Sequence, residues 1–126
     1  PKLVISGIGE RPAIVHLREF GLGGFTSGSV CIAPRGSNAI LGAIQRGDWA
    51  EAERLREAFL PLEDLRDSIN PLRVLHDAVS LAGIAEMGPM LPLMSNLNAE
   101  QKARVQPVAQ ALKAWDASLA TAQAAE

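Results

Sequence analysis

The chain of 126 residues is poor in aromatic residues and has no excess of positive charge. Tyrosine is absent, and aromatic residues make up only 4% of the sequence. The sequence has 12 lysine and arginine residues and 14 aspartate and glutamate residues, which gives a net charge of -2. A nucleic-acid-binding protein usually needs a basic surface and side chains that stack on bases. The sequence therefore predicts no nucleic-acid partner.

Cysteine and long apolar runs are also scarce. The single cysteine, Cys31, cannot form an internal disulfide, and such usage is typical of a reducing compartment. No apolar run approaches the roughly 18 residues of a membrane span, and no signal peptide is visible. We therefore expect a cytoplasmic protein without a membrane partner, in which Cys31 is a small buried packing residue.

The histidines give no indication of a metal site. His16 and His76 are far apart in the sequence, and neither has a third ligand nearby. We interpret both as ordinary helical residues and predict no metal ligand in this chain.

The first third of the chain has the pattern of alternating strands and helices. The apolar run at residues 3–5 is typical of a strand buried on both faces, and Pro12 and Gly21 suit the first turn and the end of a helix. An extended segment is predicted at 23–30 and a helix at 34–45. Two such units in succession favour an α/β fold with parallel strands.

The rest of the chain has a helical pattern with recognisable caps. Asp48 is followed three residues later by Glu51, as in a capping box, and Asn98 is followed in the same way by Gln101. Asn70 precedes a proline that suits a first helical turn. The predicted helices cover residues 49–66, with a kink or break at Pro61, 71–82 and 99–119. The chain is thus predicted to be mostly α, with two short parallel strands.

Three segments, in their order and spacing, resemble a known family. They are Leu3-Val4-Ile5-Ser6-Gly7, Gly24-Phe25-Thr26-Ser27-Gly28 and Asn70-Pro71-Leu72-Arg73-Val74-Leu75. Together they are similar to the last two strands and the C-terminal helices of the dihydrodipicolinate synthase and N-acetylneuraminate lyase family. That family has a (β/α)8 barrel, which usually needs about 250 residues.

The resemblance implies a division of the chain. Residues 1–47 would be the last two βα units of the barrel, and residues 48–126 would be a C-terminal helical region. Because the sequence opens with Pro1 and runs almost at once into a strand, we expect that it does not begin at the natural N-terminus.

The resemblance also implies an activity. The family are lyases that form a lysine Schiff base with pyruvate or a related 2-keto acid, need no metal or organic cofactor, and are commonly homo-oligomers. Such a lysine belongs at the end of a strand. Lys2 precedes its predicted strand, and Lys102 and Lys113 lie on the last predicted helix, facing solvent. We therefore predict no catalytic residue here, with the lysine and tyrosine outside this chain, and expect the 126 residues alone to be inactive.

What the resemblance carries over is a set of substrate-binding positions. Gly7 matches a glycine beside bound substrate, and Thr26 and Ser27 match positions that flank the keto acid, although such small residues can also simply fit a barrel interior. Glu10 matches an acidic residue that contacts the sugar tail in the sialic-acid members. Those members have a second acid where this chain has Gly9. Together with Leu72-Arg73-Val74-Leu75 in place of Ile-Pro-Val-Lys, this favours a member that acts on another 2-keto acid.

One alternative stays open at this point. The absence of a strand-end lysine and of tyrosine is equally typical of a non-catalytic helical module, derived from the same family, that serves interaction or assembly.

Overall fold

The computed structural model describes residues 3–123, with side chains through residue 120. In this range the chain forms two short strands, a 3₁₀ helix and α-helices. In chain order they are β1 (Ile5–Ser6), α1 (Glu10–Phe20), β2 (Gly24–Phe25), the 3₁₀ helix (Ser29–Cys31), α2 (Pro34–Gln45), α3 (Trp49–Arg56), α4 (Leu60–Ser68), α5 (Pro71–Leu81) and α6 (Ala99–Gln123). The predicted α/β class, mostly helical with two short parallel strands, is confirmed. Among residues 3–123 no helix is both long enough and apolar enough to cross a membrane.

The strands β1 and β2 pair in parallel, with α1 as the connection between them. Ile5 lies opposite Gly24, and Ser6 lies opposite Phe25. Further backbone bonds extend the pairing at both ends, from Gly23 N to Val4 O at 3.0 Å, from Thr26 N to Ser6 O at 2.8 Å and from Gly9 N to Thr26 O at 3.1 Å. Because the strands are parallel, their carboxyl ends lie side by side.

The strand β1 is covered on one face only. Ser6 is buried, whereas the side chain of Ile5 is 49% exposed and that of Leu3 is 77% exposed. The prediction of a strand buried on both faces is therefore wrong for this chain, because α1 covers a single side of the pair.

The predicted helix caps are confirmed. The Asp48 carboxylate accepts a hydrogen bond from Glu51 N at 3.1 Å. Asn98 and Gln101 form the reciprocal pair of a capping box, at 2.8 and 3.1 Å. The side chain of Asn70 caps α5 in the same way, at 3.0 Å.

The helix predicted at 49–66 is two helices. α3 ends at Arg56 and α4 begins at Leu60, so the break precedes Pro61 and places it in the first turn of α4. That position tolerates proline because its missing N–H would have no partner inside the helix.

The core lies between α2, α4, α5 and α6. Phe59 is fully buried and packs edge-to-face against Trp115 of α6, with ring centroids 5.6 Å apart. Val105 and Leu112 on the same stripe of α6 are buried as well. This stripe agrees with the apolar spacing of the sequence.

Cys31 is exposed, so the prediction of a buried packing residue is wrong. The pairing of β2 ends at Phe25, and residues 29–31 turn into a 3₁₀ helix instead of continuing the extended segment. This turn carries the cysteine away from the core.

Candidate functional site

A cavity of about 300 Å³ lies at the carboxyl ends of β1 and β2. The strand side contributes Gly7, Gly9, Thr26 and Gly28, and α4 contributes Arg66 and Asp67. In barrel enzymes the active site lies at this end of the strands. The cavity is therefore the candidate site of the described residues.

Two of the predicted substrate-binding residues line this cavity together. Gly7 follows β1 and Thr26 follows β2, and the parallel pairing brings them to the same edge. Ser27 lines an adjacent cavity of about 330 Å³, which it shares with Thr26 and Ser37. The Ser27 hydroxyl accepts a hydrogen bond from Val30 N at 3.1 Å. The substrate contacts of these residues stay a prediction.

Glu10 occupies a different position. Its side chain is fully buried at the start of α1, and its carboxylate accepts a hydrogen bond from the Ser37 hydroxyl of α2. The carboxylate thus joins two helices in the interior and lines neither of the two cavities. The predicted contact between Glu10 and a substrate remains a prediction.

Glu63 is a site residue that sequence reasoning missed. Gly9 precedes α1 and has no side chain to cap it, and the fully buried Glu63 of α4 takes this role. Its Oε1 accepts hydrogen bonds from Glu10 N at 3.1 Å and Arg11 N at 3.3 Å. Burial raises the pKa of the Glu63 carboxyl, and the nearby Glu10 carboxylate adds to that shift against the Arg11 hydrogen bond. The one signal of this contact in the sequence was the glycine before α1, which cannot cap the helix with a side chain.

Arg66 holds the loop between β1 and α1 from the same side. Its side chain is only 9% exposed and lies 3.5 Å from Glu63 Oε1. It donates to Ile8 O at 3.3 Å and to Asp67 Oδ1 at 2.9 Å. The helix α4 therefore fixes the backbone that forms one wall of the cavity.

Gly9 is required by this arrangement. Its φ of 95° lies in the region that favours glycine. A Cβ atom at this position would lie 2.6 Å from Glu63 Oε1 and 2.9 Å from Arg66 Nη1. Both the backbone conformation and the space therefore exclude a side chain.

Two solved structures are similar to this chain. The dihydrodipicolinate synthase of Oceanobacillus iheyensis is 27% identical with a TM-score of 0.74, and the match covers 90% of this chain. The dihydrodipicolinate synthase of Bacillus clausii is 28% identical with a TM-score of 0.75, over 86% of this chain. The resemblance to the dihydrodipicolinate synthase family is thereby confirmed. No family model and no curated protein matches the chain.

The match is to part of a dihydrodipicolinate synthase. This chain spans 37% of the length of each of the two structures and corresponds to their C-terminal part, in a TIM-barrel enzyme. The cavity at Gly7 and Thr26 accordingly lies at the barrel end where a dihydrodipicolinate synthase fold would place its site.

The two lysines that the structure describes lie on α6 and not at the end of a strand. Lys113 Nζ donates to the carbonyls of Ala82 and Gly83 at 3.0 and 3.2 Å, where it caps the end of α5. Lys113 is exposed, as predicted, and the end of α5 beside it adds these two carbonyl partners. Lys102 lies 4.0 Å from the Asp77 carboxylate, and Lys2 lies outside the described residues.

Proposed function

We propose that this chain is the C-terminal portion of a lyase that forms a lysine Schiff base with pyruvate or a related 2-keto acid. The reaction would be aldol cleavage, condensation or dehydration. The observation that carries the proposal is the cavity between Gly7 and Thr26, in a chain with the fold of the C-terminal part of a dihydrodipicolinate synthase. Residues 1–47 would supply the last two βα units, and residues 48–126 the helical region.

In this proposal a lysine outside the chain is the nucleophile. Its amine attacks the keto carbon, and the carbonyl oxygen leaves as water to give the imine. A tyrosine, also outside the chain, moves protons. The chemistry requires no metal or organic cofactor.

The residues of this chain would orient the substrate. The backbone at Gly7 would allow a ligand to approach closely, and the hydroxyls of Thr26 and Ser27 would accept or donate hydrogen bonds to it; the support is that these residues line the cavities at the strand ends. Glu10 would act from the interior by holding α1 against α2. The intact protein would be a cytoplasmic homo-oligomer.

Exposed apolar side chains on either side of β1 favour a second candidate function. Leu3, Val4 and Ile8 are 77%, 56% and 62% exposed. A non-catalytic module could assemble through this face, because a parallel strand pair is normally covered on both sides.

Trapping of the imine distinguishes the two candidates. The protein expressed from its complete coding sequence is incubated with pyruvate, with and without borohydride, and its intact mass is measured. Borohydride reduces an imine to a stable amine, so we expect a mass increase of one reduced pyruvate per chain. Peptide mapping should place the adduct on a lysine outside these 126 residues. A protein that gains no adduct would contradict the lyase proposal and favour the assembly module.

A further inference from the structure

The loop between β1 and α1 forms one wall of the strand-end cavity. Gly7, Ile8 and Gly9 all line the cavity. Gly9 N also donates a hydrogen bond to Thr26 O at 3.1 Å, which ties the loop to the end of β2. The backbone path of residues 7–9 therefore determines the shape of the cavity between the two strand ends.

Glu63 is the residue through which the C-terminal helical region holds the end of this loop. Its Oε1 atom accepts hydrogen bonds from Glu10 N at 3.1 Å and from Arg11 N at 3.3 Å, at the first two residues of α1. Gly9, which precedes the helix, makes no side-chain cap. One oxygen atom of α4 thus fixes the position at which the loop ends and α1 begins.

The contact acts on the cavity from outside it. Glu63 is fully buried and does not line the cavity, so it can affect a ligand only through the backbone that it holds. Arg66 lies 3.5 Å from the same Oε1 atom and donates to Ile8 O at 3.3 Å, which secures the middle of the loop from the same helix. Removal of the Glu63 carboxylate would leave the N–H of the buried Glu10 without a partner.

We infer that Glu63 is a positioning residue of the candidate site, which fixes the backbone of residues 7–9 from a helix outside the two βα units. The inference rests on the proposed function, because it assigns a role in binding at the same cavity. Without the Glu63 oxygen the start of α1 shifts, and the cavity wall shifts with it. A misplacement of about 1 Å in a positioning group can cost up to roughly a hundredfold in rate.

Trapping of the imine at equilibrium tests this role. The protein expressed from its complete coding sequence is equilibrated with pyruvate at a series of concentrations and quenched with borohydride, and the fraction that carries the adduct is measured by intact mass. The half-maximal concentration reports on binding, whereas the plateau reports on the fraction of protein that is folded. A purely structural role would therefore change the plateau and leave the half-maximal concentration unchanged.

The variants separate the accepting oxygen from burial in general. Glu63→Ala removes the oxygen, and Glu63→Gln keeps an oxygen that can accept both hydrogen bonds. The control is Asp77→Ala, which removes another buried carboxylate that accepts a backbone hydrogen bond, from Leu97 N at 2.7 Å. Asp77 does not line the strand-end cavity, and its contact holds the loop between α5 and α6.

We expect Glu63→Ala to raise the half-maximal pyruvate concentration by about tenfold, and Glu63→Gln to stay within about twofold of the wild type. Asp77→Ala should keep the wild-type half-maximal concentration while lowering stability. Glu63→Asp, whose shorter side chain cannot reach both N–H groups, replaces the alanine variant if that variant does not fold.

Three results would overturn the inference. They are an unchanged half-maximal concentration in Glu63→Ala, an equal shift in Asp77→Ala, and an equal shift in Glu63→Gln. Each of them leaves the lyase proposal standing, because the wild type still forms the adduct. A wild type that forms no adduct with pyruvate would overturn both.

Discussion

The Asp116 carboxylate near the end of α6 accepts a hydrogen bond at 2.7 Å from the backbone N–H of Gly36, in the first turn of α2. Its other oxygen accepts a bond from Arg35 at 3.3 Å. Asp116 is 3% exposed, and α2 has no side-chain cap of its own. Helix α6 thus supplies a cap for α2 through a residue that lies 80 positions after Gly36.

Replacement of this cap should lower stability. Asp116→Ala leaves the buried N–H of Gly36 without a partner, so we expect the free energy of unfolding to fall by about 1–3 kcal/mol. Denaturant unfolding followed by circular dichroism measures the loss. Glu19→Ala, which breaks an exposed pair with Arg18, is the control and should change stability by less than about 0.5 kcal/mol. Equal effects of the two variants would contradict the capping role.

Two glycines of α2 should respond in opposite ways to alanine. A Cβ at Gly36 would clash with the Trp115 ring and lie 3.0 Å from Phe59, so Gly36→Ala should cost about 1–3 kcal/mol. A Cβ at Gly42 meets only the end of the Arg46 side chain, at 3.3 Å. Because that side chain can move, Gly42→Ala should stabilise the helix by about 0.5–1 kcal/mol. Thermal unfolding of both variants tests this, and a stabilised Gly36→Ala would refute the close contact.

The raised pKa of Glu63 predicts a loss of stability as the pH rises. Burial, the largest cause, favours the protonated carboxyl in the folded state. Its stabilising contribution is therefore fully present below the ordinary pKa of glutamate and is lost as the pH rises through the folded pKa. Glu63→Gln should remove this decline, measured as the free energy of unfolding between about pH 4 and pH 8. The exposed Glu57→Gln should keep the wild-type profile, and a Glu63→Gln profile like the wild type would refute the prediction.

Asp77 should show the opposite dependence. Burial alone would raise the pKa of Asp77, but hydrogen bonds from Asn96, His76 and the backbone of Leu97 outweigh it and hold the pKa below its ordinary value. Its contribution is present above the ordinary pKa of aspartate and is lost as the pH falls through the folded pKa. Asp77→Asn should therefore flatten the fall in stability between about pH 5 and pH 2. An unchanged acid profile would show that Asp77 is not its source.

Arg73 fixes the loop between α5 and α6. Its guanidinium donates to Ser95 O at 2.7 Å and to Asn96 O at 2.8 Å. Lysine keeps the charge but cannot make this two-pronged contact, so Arg73→Lys should speed amide hydrogen exchange at residues 84–97. Arg54→Lys alters an exposed pair with Glu51 and should leave exchange in the loop unchanged. Loop exchange at the wild-type rate in Arg73→Lys would contradict this role.

Local signals in the sequence predicted much of the helical region. Asp48, Asn70 and Asn98 cap their helices as their spacing indicated, because a cap involves residues only three apart. The break near Pro61 was expected for the same reason, although the chain turns a few residues earlier. Parallel pairing of two strands followed from the alternation of short apolar runs and helices.

The contacts that form the cavity wall could not be predicted from local signals in the sequence. Glu63 and Arg11 are 52 positions apart, and Glu63 and Arg66 have the i,i+3 spacing that is common for exposed ion pairs on a helix. Only the packing of α4 against the β1 end makes both buried. The positions of Gly7 and Thr26 at strand ends followed from the resemblance, whereas the placement of Arg66 and Asp67 at the cavity needed the three-dimensional structure.

Gly9 also limits the mutational routes open to this chain. An acidic residue at position 9, as in the sialic-acid members that the chain resembles, would occupy the space of Glu63 Oε1 and Arg66 Nη1. Shortening Glu63 first would leave the N–H groups of Glu10 and Arg11 without their acceptor, and adding the acid first would force it against the Glu63 and Arg66 side chains. Each single substitution is therefore harmful alone. An acidic residue at position 9 therefore requires compensating substitutions on a helix more than 50 residues away, acquired together.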